Sequence, residues 1–200
     1  MRPADLAVVV ATILAAIFLL PQIVKLARTG DSTGVSATWP ALGAVTNVGW
    51  FAYLSSQQLW LSVPSTVLMM VFYSTVLRYL ARTGRSIRGP AIRGLVWGLM
   101  LLAVFRMGGW ETLGLVLGLS YAVQLAPSVW TAYRTPAPSG ISPGTWWLGG
   151  IEAVLWGVYG WGYQDVPIMI FAGVGVVVSS LMLGRFYATR HRWQRVPAPA

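Results

Sequence analysis

Long apolar stretches alternate with short polar segments along the whole chain, and this pattern predicts an entirely helical protein. A helix that crosses a hydrocarbon layer about 30 Å thick needs roughly twenty predominantly apolar residues, because each residue adds about 1.5 Å. We therefore predict an all-α integral membrane protein whose seven transmembrane helices lie at about 4–27, 37–56, 62–81, 91–109, 112–134, 143–162 and 166–187.

The chain also contains an internal duplication with a period of 106 residues. When 21–53 is laid over 127–159 without a gap, ten of 33 positions are identical, whereas about two matches are expected from composition alone. The identical pairs are Pro21/Pro127, Arg28/Arg134, Thr29/Thr135, Gly34/Gly140, Ser36/Ser142, Leu42/Leu148, Gly43/Gly149, Val48/Val154, Trp50/Trp156 and Tyr53/Tyr159. Further along, the alignment slips by three residues and pairs Val63 with Val166, which predicts a longer connection in the first half.

Composition agrees with a membrane environment and excludes several classes of function. Hydrophobic residues make up 56% of the chain, charged residues only 10%, and the mean hydropathy is +0.65. Because soluble domains contain roughly 25% charged residues, no large soluble domain fits. The chain has no cysteine, and its one histidine, His191, lies in a polar tail, so we expect neither a disulfide framework nor a metal site. No cofactor-binding or catalytic motif is present, which predicts that the protein is not an enzyme.

The basic residues predict how the helices are oriented. Cytoplasmic loops of membrane proteins carry an excess of Lys and Arg. If the amino terminus lies outside, only Arg2 and Arg106 of the fourteen basic residues are external. The formal charge of +9 is then a signal of orientation, and we expect a lipid bilayer and no nucleic acid as partner. The carboxyl terminus is predicted to be cytoplasmic.

The same charges predict that the two repeats are parallel. Both end in arginine-rich inner segments, after Leu77 and after Leu183. Two three-helix units joined directly would be inverted, so one additional crossing is required between them. The predicted layout is three plus one plus three: a first repeat at 4–81, an inverting helix at 91–109, a second repeat at 112–187 and a flexible tail at 188–200.

Two segments carry a resemblance to a known family. The segment FLLPQIVKLARTGDSTGVSATW followed by NVGWFAY, and later APSVWTAYRTPAPSGISPGTWW followed by VLWGVYG, resemble the PQ-loop superfamily. The layout is most similar to SWEET transporters and their half-size relatives, the SemiSWEETs, which are built from parallel repeats. The resemblance implies a transporter of a small solute, by default a sugar, that alternates access to a central cavity. Relatives also imply two alternative functions, proton-coupled amino-acid transport and a cargo receptor on the same scaffold. They further imply assembly as a homo-oligomer.

Pro21 and Pro127 are predicted hinges. Proline removes a backbone donor and clashes with the preceding turn, so a membrane helix bends there. Gln22 can donate to the freed carbonyl or to a substrate, whereas the second repeat has Ser128 at that position. By resemblance, the two prolines bend to open and close gates on either side of the cavity.

The second helix of each repeat carries the strongest candidate pocket. Asn47 and Trp50 share one helical face, and Glu152 and Trp156 share the matching face in the second repeat. The predicted substrate contacts are Gln22, Asn47, Trp50, Tyr53, Gln124, Glu152, Trp156 and Tyr159. The alternative reading of the tryptophans is an interfacial belt, which we expect to include Trp60, Trp110, Trp146 and Trp193.

The family pattern also predicts a sugar-binding asparagine in the third helix of each repeat, and these positions are Met69 and Ala172 here. A less polar or differently charged solute is therefore compatible with the pocket. Glu152 lies inside a predicted span, where an ionised carboxylate costs roughly 2.5–3.5 kcal/mol or more. It is either a proton-coupling or cation-recognising group, or a neutral acid bonded to a neighbouring helix. The preferred location is the inner membrane of a bacterium.

Overall fold

The computed structural model describes residues 2–29, 37–136 and 143–193, and every regular element within them is helical. The helices are α1 (Pro3–Thr29), α2 (Thr38–Ser56), α3 (Val63–Arg82), α4 (Arg88–Arg134), α5 (Pro143–Tyr163) and α6 (Val166–Trp193), with a short 3-10 turn at Trp60–Ser62. The bounds agree with the predicted ones within a few residues, apart from the end of α6.

Helix α4 is a hairpin of two arms, which we call the first arm (88–108) and the second arm (110–134). Its 47 residues would extend about 70 Å if straight, more than twice the thickness of a hydrocarbon core. Gly109 interrupts it with φ 66° and ψ −159°, a conformation that only glycine adopts without strain. A Cβ built on Gly49 of α2 would contact both Leu101 of the first arm and Leu117 of the second, so the arms lie side by side. The break falls where the predicted fourth and fifth helices meet.

The connections between α2 and α3 and between α5 and α6 explain the slip in the repeat. Gln58 and Gln164, which are 106 residues apart, both have left-handed backbones, with φ of 58° and 55°. The first connection then contains the three-residue 3-10 turn Trp60–Ser62, which has no counterpart before Val166. These three additional residues are the longer connection that the sequence predicts.

Contacts between glycines and neighbouring helices define the directions of the helices. Gly160 of α5 packs against Ile168 of α6, and Gly150 packs against Ser179, so these two helices are antiparallel. The second arm runs parallel to α6, because Gly118 contacts Pro167 and Tyr121 contacts Gly175. At the start of the chain, α1 is antiparallel to α5, with Ala4 against Gly162.

The bundle therefore has two distinct ends. At one end, the Asp165 end, the hydroxyl of Tyr163 donates a 2.6 Å hydrogen bond to Asp5. The opposite end, the arginine-rich end, contains Arg82, Arg88, Arg134 and Arg185. A hydrophobic core that draws on α1, α2, both arms of α4, α5 and α6 lies towards the Asp165 end and includes Val8, Trp50, Leu54, Leu117, Trp156, Tyr159 and Ile168.

Within the described residues, three helical segments are long and apolar enough to cross a membrane: Trp60–Arg82, Arg88–Arg134 and Val166–Thr189. The sequence predicts seven spans, and α2 and α5 do not reach this level of hydropathy. The reason lies in their composition, because both contain several tryptophans and glycines and one strongly polar residue, Asn47 or Glu152, which lower the mean hydropathy. These are the helices that bring polar and aromatic side chains into the interior.

The predicted flexible tail begins too early. Helix α6 continues through Trp193, so residues 188–193 are helical, and only the last residues of the tail lie outside the described ranges. Thr189 is almost fully buried and its hydroxyl donates to the carbonyl oxygen of Arg185. The polar composition of this segment suggested an exposed tail, whereas the packing of Thr189 extends the helix by more than a turn.

Gly118 offers a test of the close packing between the second arm and α6. A Cβ at Gly118 would lie 2.7 Å from the backbone oxygen of Pro167, so alanine forces the two helices apart. We expect Gly118→Ala to cost about 1–3 kcal/mol, the usual cost of overpacking, and to lower the thermal unfolding midpoint in detergent by roughly 2–10 °C. Gly173→Ala is the matched control, because a Cβ at Gly173 meets no atom within 4 Å. Equal midpoints for the two variants would contradict this packing.

Candidate functional site

The tryptophans at equivalent positions of the duplication meet at one aromatic side chain. The ring centroid of Phe171 lies 5.8 Å from that of Trp50 and 6.2 Å from that of Trp156, both in edge-to-face geometry. Each indole is only 9% exposed, so neither belongs to a lipid-facing belt. The two predicted pocket tryptophans therefore converge from α2 and α5 on a residue of α6.

A small cavity of about 10 Å³, with room for about one water molecule, opens beside this cluster and is lined by Tyr121, Gly149, Glu152, Ala153, Trp156 and Phe171. We call it the central cavity. Its six residues come from the second arm, α5 and α6, so the second half of the chain supplies all of them. Tyr121 stacks on Phe171 with ring centroids 4.5 Å apart and planes inclined by 30°. Glu152 supplies the one carboxyl group of this lining.

A hydrogen bond links distant segments at the Asp165 end. The hydroxyl of Tyr53 on α2 donates to Oδ2 of Asp165, at 2.9 Å, across 112 positions of sequence. Oδ1 of Asp165 accepts the backbone N–H of Ile168 at 2.9 Å, so the same carboxylate caps the start of α6. Burial raises the pKa of Asp165, while these two hydrogen bonds oppose that rise. We call the Tyr53–Asp165 bond the latch.

The duplicated tyrosine meets a weaker partner. Tyr159 is fully buried, and its hydroxyl faces that of Ser62 without reaching the geometry of a regular hydrogen bond. The nearest counterpart of Asp165 at the start of α3 is Ser62, whose hydroxyl donates instead to the carbonyl oxygen of Leu59 at 2.6 Å. The two halves therefore share a tryptophan–tyrosine pair, Trp50 with Tyr53 and Trp156 with Tyr159. They differ in the polar residue at the start of the following helix.

Asn47 and Gln124, two of the other predicted contacts, do not line the central cavity. The amide of Asn47 donates to the carbonyl oxygen of Gly43 in its own helix, at 2.9 Å. Gln124 is half-buried, with its amide 3.5 Å from the hydroxyl of Ser120. Pro21 and Pro127 lie within α1 and the second arm, and the side chains of Pro21, Gln22 and Pro127 are outside the described residues. The hinge assignments thus stay predictions.

Two side chains at the candidate site were not singled out from the sequence. Phe171 lines the central cavity together with Tyr121, and Asp165 forms the latch. Asp165 was recognisable only as an aspartate immediately before Val-Pro at a helix start, a typical capping position. No local pattern distinguishes Phe171 from the many apolar residues of its helix.

The tryptophans assigned to an interfacial belt differ in exposure, and the assignment stays a prediction. Trp60 is 62% exposed near the Asp165 end. Trp110 instead packs on Phe105 at the α4 hairpin, with ring centroids 4.4 Å apart, and Trp146 packs against a buried cluster with Met182. No group of three or more acidic or histidine side chains that could hold a metal ion occurs in the described part of the chain.

Comparison with solved structures identifies the fold. The structure of a eukaryotic SWEET transporter determined at 3.7 Å resolution superposes with a TM-score of 0.69 at 11% sequence identity, covering 95% of this chain and all of that one. No protein-family model matches the sequence, and no curated protein matches it either. The chain therefore has a SWEET-like fold that the sequence resemblance anticipates.

Proposed function

We propose that this protein is a membrane transporter that moves a small polar solute by alternating access. The observation that carries the proposal is the central aromatic site itself: duplicated tryptophans from the two halves converge beside one cavity, while a hydrogen bond between the halves closes one end. Two like-oriented halves around a midplane site are the typical construction of such carriers. The SWEET-like fold supports the same conclusion.

The proposed architecture is three plus one plus three helices. The first repeat is α1 to α3, the first arm of α4 inverts the chain, and the second arm begins the second repeat. The contacts support this division, because α1 and the second arm are both antiparallel to α5 and thus run in the same direction. The first arm packs outside this pair of repeats, with the indole of Trp97 donating to Thr46 at 2.9 Å.

We assign the arginine-rich end to the cytoplasm and the Asp165 end to the outside, following the excess of basic residues on one side. In this orientation the described state has its outer gate closed by the latch. Pro21 and Pro127 lie in the inner parts of α1 and the second arm, where bending would open or close the inner gate. The proposed location is the inner membrane of a bacterium, and assembly as a homo-oligomer is part of the same proposal.

The resemblance makes a sugar the default solute and proton-coupled amino-acid transport the alternative. Two features weaken the sugar assignment. The third-helix positions Met69 and Ala172 lack amides, and the amide of Asn47 is engaged by its own helix. A hydroxyl-rich ligand needs several paired donors and acceptors, which this lining does not supply.

The direct test is uptake by proteoliposomes containing the purified protein. Labelled sugars, amino acids and small amines are offered at two pH values, with protein-free vesicles as the control. We expect at least one class of solute to enter faster than in the control and to saturate with concentration. Binding without uptake would favour the cargo-receptor alternative, and absence of both, for a preparation that retains its helical circular dichroism, would contradict the proposal.

A further inference from the structure

Glu152 occupies an unusual position for an acidic side chain. It lines the central cavity on α5, one turn from Trp156, whose indole interacts with the carboxyl group. No cationic side chain among the described residues interacts with this carboxyl group. A buried carboxylate without a counter-ion is strongly disfavoured, because desolvation is not repaid by a partner. A positive charge that enters the cavity would therefore stabilise the ionised form of Glu152.

The walls around Glu152 are aromatic. Tyr121, Trp156 and Phe171 line the same cavity, and Trp50 contacts Phe171 from the other half at 5.8 Å. The face of an aromatic ring attracts a cation within about 6 Å of its centroid, and cages of such rings are a known means of recognising ammonium groups. Besides Glu152, the lining has two polar side-chain groups, the phenol of Tyr121 and the indole N–H of Trp156.

The lining thus combines one carboxyl group with three aromatic side chains and few neutral hydrogen-bonding groups. We propose that the central cavity selects a small organic cation, whose ammonium group pairs with the Glu152 carboxylate between the rings of Tyr121, Trp156 and Phe171. This inference rests on the proposed transport function and names its substrate class. In the described state the cavity has about 10 Å³ of room, about that of one water and far below the 300–1,000 Å³ of typical ligand sites, so binding of even a small cation requires its walls to move apart.

The experiment compares labelled choline and methylammonium with labelled glucose in proteoliposomes. The wild-type protein is expected to take up at least one of the two cations and to leave glucose at the level of protein-free vesicles. Glu152→Gln removes the charge at nearly constant volume, and we expect uptake of the cation to fall at least tenfold. Glu152→Asp keeps the charge and should retain more uptake than the glutamine variant.

Glu111→Gln is the matched control, because Glu111 is exposed beside the α4 hairpin and does not line the cavity. This variant should transport within about twofold of the wild type. Thermal unfolding of each variant shows whether the protein has folded, and Glu152→Asp keeps the test decisive if the glutamine variant does not fold.

Two outcomes overturn the inference and are distinct from failure of the proposed function. Uptake of glucose or another neutral solute without uptake of either cation would leave a transporter with a different substrate class. Cation uptake that is the same in the wild type, Glu152→Gln and Glu152→Asp would remove the role of the charge. If the wild type carries no solute at all in the wider screen, the proposed function fails and this inference fails with it.

Discussion

Joining position 4 to position 162 by a disulfide should abolish solute uptake, and reduction of that disulfide should restore it. Ala4 lies in the first turn of α1 and Gly162 in the last turn of α5, so the bond would tie the two proposed repeats together at the Asp165 end. A Cβ at Gly162 lies 2.5 Å from Cβ of Ala4, and the exposed end of α5 must move by about 1 Å to reach disulfide geometry. Alternating access requires this end to open, so we expect a loss of more than tenfold.

The chain is suited to this experiment because it contains no cysteine, and every thiol is therefore introduced. The matched control is Gly150→Cys with Ser179→Cys, where the two positions face each other within one proposed repeat. A Cβ at Gly150 lies 3.4 Å from Cβ of Ser179, close to the distance that a disulfide spans. Because the proposed bending occurs in α1 and the second arm, α5 and α6 should keep their packing, and this cross-link should leave uptake within about twofold of its reduced form.

Disulfide formation is followed by the gel shift of free thiols labelled with a polyethylene-glycol maleimide. Uptake is then measured on the same vesicles before and after dithiothreitol. Full uptake by the oxidised Ala4→Cys, Gly162→Cys protein would show that the Asp165 end does not open during transport. Equal inhibition by both cross-links would instead indicate that α5 and α6 also move relative to each other during transport.

Trp156→Ala should reduce uptake at least tenfold, the second large effect that the structure predicts. The indole lines the central cavity and contacts the rings of Tyr159 and Phe171 at 6.0 and 6.2 Å, so its removal takes away both a wall of the site and part of the aromatic core. Truncation of a buried tryptophan costs about 3–5 kcal/mol of stability. Trp156→Phe keeps an aromatic wall and should recover part of both stability and uptake.

The control for this variant is Trp161→Ala in the same helix. Trp161 is 70% exposed and does not line the cavity, so its removal should affect uptake by about twofold or less. Initial rates of uptake and thermal unfolding midpoints are measured for all three variants. Equal losses for Trp156→Ala and Trp161→Ala, at similar stability, would place the solute away from the central cavity.

The duplication and most helix boundaries could be predicted from the sequence, whereas the end of α6 could not. The slip of three residues after Tyr53 predicts a longer first connection, and the 3-10 turn Trp60–Ser62 supplies those residues. The separation of the fourth and fifth predicted helices coincides with the break at Gly109. The end of α6 was misplaced, because a polar helical turn and a polar tail have the same composition and only the burial of Thr189 distinguishes them.

The site was predicted less completely than the fold. Trp50, Trp156 and Glu152 were found because they repeat or because a charge in an apolar stretch is conspicuous. Tyr53 was predicted as a substrate contact, and its hydroxyl is instead engaged in the latch. The assignment of Tyr53 to the solute stays a prediction, since it would require the latch to open.

By itself, the sequence determines that this chain is helical, apolar and duplicated. Hydropathy and the conformational preferences of glycine and proline depend only on residues nearby in the chain. Only the tertiary structure decides which side chains meet. Tyr53 and Asp165 are 112 positions apart, and Phe171 gains its place between two tryptophans through the packing of α2, α5 and α6. Such contacts depend on the rotation and depth of each helix relative to distant ones, and close packing of whole helices sets these quantities rather than any local pattern.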